Sequence, residues 1–122
     1  MADRRIAGLA VEQNGAVAGL VVVIPSTIDS GLAEIGWWTV PAARGHRVAA
    51  RAVQVLVPWA ASIGLVRLEA SVDVENTVSR RVAERAGMVL EGTRAAGLRP
   101  LRGGPRRDGL LYARVTPASR IR

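Results

Sequence analysis

Val40-Pro-Ala-Ala-Arg-Gly-His-Arg-Val-Ala-Ala50 is the stretch on which the reading of this chain turns. It runs from the end of an apolar, strand-like segment, through a short basic loop, into the start of a helical pattern. A helix N-terminus carries unpaired backbone N–H groups and the positive end of the helix dipole. A junction of this kind therefore binds anions, phosphates especially. Gly45 lets the backbone come close to a ligand, and Arg44, His46 and Arg47 add positive charge. A plain β–α connection with solvated arginines has the same local pattern, so the flanks must decide.

Toward the N-terminus the flank reads as strands. Ile6–Gln13 alternates loosely, and Asn14-Gly15 is a hairpin signal because both central residues of a type I′ turn need positive φ. Ala16–Ile24 is a β-branched apolar run that stops at Pro25, and Leu32–Val40 is a third strand. Toward the C-terminus the period changes. Val48, Ala52, Val55, Leu56 and Trp59 recur at spacings of three and four, which predicts a helix over Arg47–Ser62, with Pro58 kinking or loosening its last turn. Gly64 ends it, and Val66–Val72 is a strand. Asn76–Ala86 is a second helix, with Asn76 as N-cap and Gly87 at C′. Val89–Arg94 is a strand, Ala95–Arg106 a Gly/Pro/Arg loop, Asp108–Val115 the last strand, and Thr116–Arg122 a tail expected to fray. The order β-β-β-α-β-α-β-β makes an α/β (α+β) domain with a mixed, mostly antiparallel sheet and two main helices.

At 122 residues the chain has the length of a single domain, and 49% apolar with 22% charged residues is an ordinary globular composition. With no Cys there is no disulfide framework, no thiolate nucleophile and no Cys-ligated metal. The lone His46 excludes a multi-histidine site, so no metal is expected. No apolar run approaches the roughly 18–20 residues that span a bilayer, and the start has no signal-like stretch, so a cytoplasmic protein without membrane partners is expected. The net charge of +7 comes from 17 cations, all Arg. Such a basic balance suits nucleic acid. The arginines are nonetheless scattered in sequence (Arg44–Arg51, Arg80–Arg85, Arg99–Arg107), and Trp37, Trp38, Trp59 and Tyr112 are too few aromatics for a base-stacking platform. Coding bias explains much of the charge, and a small polyphosphate ligand suits the rest.

Arg44-Gly-His-Arg-Val-Ala49 resembles the acyl-CoA pyrophosphate loop of the GNAT superfamily of N-acetyltransferases, whose pattern is Arg/Gln-x-x-Gly-x-Gly/Ala. Ala33-Glu-Ile-Gly-Trp-Trp38 resembles the strand before that loop. Asp73-Val-Glu-Asn-Thr-Val-Ser79, Ala83–Met88 and Val89-Leu-Glu-Gly-Thr93 resemble the helix and following strand of the branch that acetylates ribosomal-protein N-termini. Asp108–Val115, with Tyr112, is similar to the branch's last strand. The resemblance runs from about Arg5 to Val115. Two features depart from it. Arg47 stands where the loop usually has Gly, and the chain begins at what would be the family's second strand, without the opening strand and two helices that wall the acceptor site.

The resemblance implies acetyl transfer from acetyl-CoA to a primary amine by direct attack, with no covalent enzyme intermediate because there is no Cys. A peptide N-terminus is the acceptor implied by the Asn76/Ser79 helix. A backbone N–H at the strand end Trp38, Thr39, Val40 would meet the developing oxyanion. The N–H groups of Arg44, Gly45, His46, Arg47, Val48 and Ala49 would take the pyrophosphate, and Asn76 the pantetheine arm. Ser79 would protonate the leaving thiolate, because the Tyr that many members use falls here on Ala83. Glu69 matches a base proposed in one branch, and Glu34 lies on a neighbouring strand. Either would have a raised pKa if buried, and either could instead pair with a nearby Arg. His46 reads as a solvated loop residue. Trp37 and Trp38 face opposite sides of their strand, one toward the core and the other toward the acceptor groove. Two other functions stay open at this point. One is a truncated, non-catalytic acyl-CoA-binding or assembly domain; the other is an Arg-rich RNA-binding module. A homodimer covering the uncovered sheet surface is expected as well.

Overall fold

The computed structural model describes residues 7–44, 47–100 and 103–117. Its elements are β1 (Ala7–Gln13), β2 (Ala16–Pro25), β3 (Leu32–Thr39), a 3-10 turn (Pro41–Ala43), α1 (Val48–Ser62), β4 (Arg67–Asp73), α2 (Thr77–Arg85), β5 (Val89–Leu98) and β6 (Arg107–Val115). The six strands form one sheet in the order β1-β2-β3-β4-β6-β5. Only β3 and β4 run parallel; every other neighbouring pair is antiparallel.

The local chemistry of these elements is simple. Asn14 and Gly15 both take positive φ (54° and 80°), so the β1–β2 turn has the handedness that the twist of the two strands requires. Gly19 has a different task. A Cβ there would lie 2.5 Å from the Trp38 carbonyl oxygen, so only glycine lets β2 pack this closely on the end of β3. Asn76 caps α2, its Oδ1 accepting from the Ser79 N–H at 3.0 Å. Asp73 opens the same turn, its Oδ1 accepting from the Glu75 N–H at 2.9 Å.

Both helices pack on one face of the sheet. Val53, Leu56, Val57 and Ala60 of α1 and Ala83 of α2 share a core with Val21, Val23, Ile35, Leu68, Ala70, Val72 and Tyr112. The other face leaves Leu20, Ile24, Trp38 and Val115 exposed. Three expectations need correction. The face of α1 that packs is Val53, Leu56, Val57 and Ala60, whereas Val55 and Trp59 of the expected face are exposed. β5 does not stop at Arg94, because its pairing with β6 resumes past an irregularity at Leu98↔Arg107. Thr116 does not fray: it is 1% exposed, its N–H donates to the Val66 carbonyl, and its hydroxyl donates to the Leu65 carbonyl. Residues 118–122 of the expected tail, and Ile6 of the expected first strand, lie outside the described residues. No helix among the described residues is long and apolar enough to cross a membrane.

Candidate functional site

β3 and β4 stay together for only three rungs, Leu32↔Arg67, Ala33↔Leu68 and Glu34↔Glu69. Beyond Glu34 and Glu69 the strands splay, and a cavity of about 160 Å³ opens between them. Ile35, Gly36 and Trp37 line it on one side, and Ser71, Asp73, Asn76 and Ser79 on the other. It adjoins a groove of about 590 Å³ that shares Trp37, Asn76 and Ser79 with it. Trp38, Thr39, Arg44, Arg47, Val48 and Ala49 form one wall of this groove, and Val78, Arg81, Val82 and Arg85 of α2 the other.

The splay leaves backbone donors without a ladder partner. The Val40 N–H donates to the Ala18 carbonyl at 2.8 Å, on the β2 side. Peptide groups alternate along a strand, so Trp37 and Thr39 direct their N–H groups to the opposite side, where β4 has moved away. Arg44 braces the strand end, its Nε donating to the Thr39 carbonyl at 3.3 Å.

Arg47 is the N-cap of α1 and sits in the left-handed region, φ 59° and ψ 24°. That backbone costs a non-glycine residue roughly 1 kcal/mol and costs glycine almost nothing. At this one position the backbone thus bends as a glycine would bend it, although the residue is arginine. Arg47→Gly should gain about 0.5 kcal/mol or more in urea unfolding, the relief of strain exceeding the extra freedom glycine gives the unfolded chain. A loss of stability would contradict this. Gly45 and His46, the centre of the loop, lie outside the described residues.

Asp73 is fixed at the cavity mouth by Arg107 of β6, whose guanidinium also reaches Glu75 at 3.0 Å. This contact holds the Asp73 carboxyl below its ordinary range and Arg107 above its own. Ser79 and Asn76 therefore stand on a helix start anchored from two strands. Ser79 lines both cavity and groove, and its N–H, not its hydroxyl, serves the cap.

Glu34 and Glu69 lie side by side on the sheet face opposite the helices. Neither is buried: Glu34 is exposed, and the Glu69 side chain is 24% exposed. Arg67 donates to Glu69 Oε2 at 2.7 Å and to Glu91 Oε1 at 2.5 Å. The double contact raises Arg67 and lowers Glu91 relative to their ordinary values. Trp37 packs against the core, while Trp38 is 53% exposed at the groove edge. The sequence reading missed Arg67, Asp73 and Arg107, because pairing across strands leaves no local signal. It also set Arg81 and Arg85 apart from Arg44 and Arg47, which the fold brings to one groove.

The profile of the acetyltransferase (GNAT) domain matches residues 1–89. No curated protein matches the chain. Among solved structures, the chain is similar to Mycobacterium smegmatis RimJ in complex with CoA-disulfide, at 29% identity and TM-score 0.81, over 91% of this chain and 53% of that one. It is similar also to RimL, a ribosomal L7/L12 alpha-N-protein acetyltransferase in complex with coenzyme A, at 25% identity and TM-score 0.82, over 93% and 63%. The microcin C7 self-immunity acetyltransferase MccE, in complex with acetyl-CoA and AMP, shares the fold at 24% identity and TM-score 0.80, over 90% and 61%. This chain thus spans between 53% and 63% of the length of these three. With the profile covering residues 1–89 of 122, on a sheet that splays between its two parallel strands, the chain belongs to the GNAT acetyltransferase family.

Proposed function

We propose that this chain transfers an acetyl group from acetyl-CoA to a primary amine, with a peptide N-terminus as the favoured acceptor. The observation that carries the reading is the β3–β4 splay, which joins the cavity at Ser79 to a groove walled by Arg44 and Arg47. The arginine wall suits the pyrophosphate, and the cavity suits the thioester. The Thr39 N–H faces the splay and would donate to the carbonyl oxygen as it gains charge.

The amine nitrogen attacks the thioester carbon, the C–S bond breaks, and the nitrogen loses a proton as the sulfur gains one. Ser79 is the proton donor to the thiolate in this reading. Glu69, with Glu34 beside it, takes the proton from the amine, directly or through water. Both carboxylates sit on the face away from the helices, so the acceptor would arrive from that side. Asn76 holds the pantetheine arm as well as capping α2. The peptide preference is supported by the likeness to RimJ and RimL. A cytoplasmic location and a homodimer through the open β1 edge of the sheet belong to the same proposal; a monomer mass in light scattering would remove the dimer.

Acetyl-CoA at 100 times its Kd should stabilise the chain by about 2.7 kcal/mol, seen as a thermal shift that grows with ligand concentration. No shift at millimolar acetyl-CoA defeats the proposal. Binding without turnover on a panel of peptide and small-molecule amines would favour a non-catalytic acyl-CoA-binding domain instead.

A further inference from the structure

We propose that Arg81 and Arg85 of α2 recognise the 3′-phosphate of CoA, so that this groove discriminates the phosphorylated carrier from its dephosphorylated form. The inference rests on the acetyl-CoA reading above and assigns the second wall of the groove. Arg81 and Arg85 are one helical turn apart, both exposed, and both line the groove opposite Arg44 and Arg47. Several cations elsewhere are held by partners within the fold. Arg67 and Arg107 are bound to carboxylates, and Arg114 donates to the Ala86 carbonyl at 2.6 Å. None of the four groove arginines has a carboxylate partner among the described residues.

Two like charges one turn apart oppose the helix slightly. The dipole offsets this at Arg85, in the last turn of α2, but does so less at Arg81. The carbonyl end of a helix also repels anions, so an anion at this wall must be held by the side chains themselves. The Gln54 amide tethers α2 to α1 by donating to the Arg85 carbonyl at 2.7 Å, which keeps the two walls at a fixed separation. CoA carries a diphosphate and, on its ribose, a separate phosphomonoester. Two facing pairs of arginines match two separated phosphate groups. Planar guanidinium groups also suit a phosphomonoester, which accepts several charge-assisted hydrogen bonds.

The test compares CoA with CoA lacking its 3′-phosphate, by calorimetric titration of the full chain. The wild type should bind CoA about tenfold or more tightly than the dephosphorylated form. Arg81→Gln/Arg85→Gln should reduce that preference to under about threefold, leave the affinity for the dephosphorylated form within about twofold, and keep its Tm. Arg94→Gln, an exposed substitution on β5, should keep the full preference. Equal binding of the two ligands by the wild type overturns this inference while leaving the acetyl-CoA reading intact, as does a preference that survives in the double variant. Failure of both ligands to bind overturns both.

Discussion

Tyr112→Ala should cost about 3–5 kcal/mol in urea unfolding, the largest stability loss expected for any single truncation in this chain. Tyr112 is 0% exposed, and its position explains why. It lies on β6 between Ala70 of β4 and Leu90 of β5, so its ring fills the sheet face on which α2 rests. Its hydroxyl donates to Glu84 Oε2 of α2 at 3.2 Å, tying the helix to the sheet. Removing the ring opens a cavity under α2 that the neighbouring Ala70 and Ala83 are too small to fill. Tyr112→Phe keeps the ring and loses the hydroxyl, which bonds Glu84 and also faces Arg80. Glu84 is exposed and regains water, so that variant should lose no more than about 1 kcal/mol. A loss under about 1 kcal/mol for Tyr112→Ala would refute this account of the core. Since domains of this size are stable by only about 5–15 kcal/mol, the truncation removes a large share of the total.

The elements legible in the sequence are those whose cause is local. Asn14-Gly15 fixes a turn by its own backbone preference, and Asn76 caps α2 through the N–H only three positions on. The three- and four-residue spacing of Val48, Ala52, Val55, Leu56 and Trp59 selects a helix, although the face that packs is Val53, Leu56, Val57 and Ala60, with Val55 and Trp59 exposed. The errors share the opposite property. Thr116 is ordered by Leu65 and Val66, about fifty residues away in sequence, and nothing around Thr116 announces those partners. β5 is extended past Ala96, which takes positive φ. Its N–H donates to Asp108 Oδ1 and its carbonyl accepts from Arg106 Nε, and both bonds are made across the ladder. A Gly- and Arg-rich segment read alone looks like a loop.

The site divides in the same way. Arg44, Arg47, Asn76 and Ser79 stand in recognisable local patterns, and the fold brings them to one groove. Glu69 was legible as a carboxylate on a central strand, but its engagement by Arg67, which also holds Glu91 of β5, was not. That arrangement bears on the proposed chemistry. A base held at Oε2 by a guanidinium is well positioned, and no described residue bonds its Oε1. Arg67 is accordingly a positioning residue for Glu69 in this scheme.

Ser79→Ala should lower kcat by about a hundredfold or more while leaving the KM for acetyl-CoA within about twofold, the signature of a group that acts in the transition state. The structure makes this substitution unusually clean. The Asn76 cap is received by the Ser79 N–H, which alanine retains, so α2 should keep its start and its stability. Asn76→Ala provides the contrast, because it removes the cap acceptor and should cost about 1 kcal/mol of stability together with a higher KM. Ser79→Thr keeps a hydroxyl at the same carbon and should recover much of the lost rate. If the leaving thiolate is protonated by Ser79, the defect in Ser79→Ala should shrink for thioesters with more acidic leaving thiols, which need less help to depart. A kcat within about threefold of wild type would remove Ser79 from the mechanism. Water in the cavity between β3 and β4 would then be the donor.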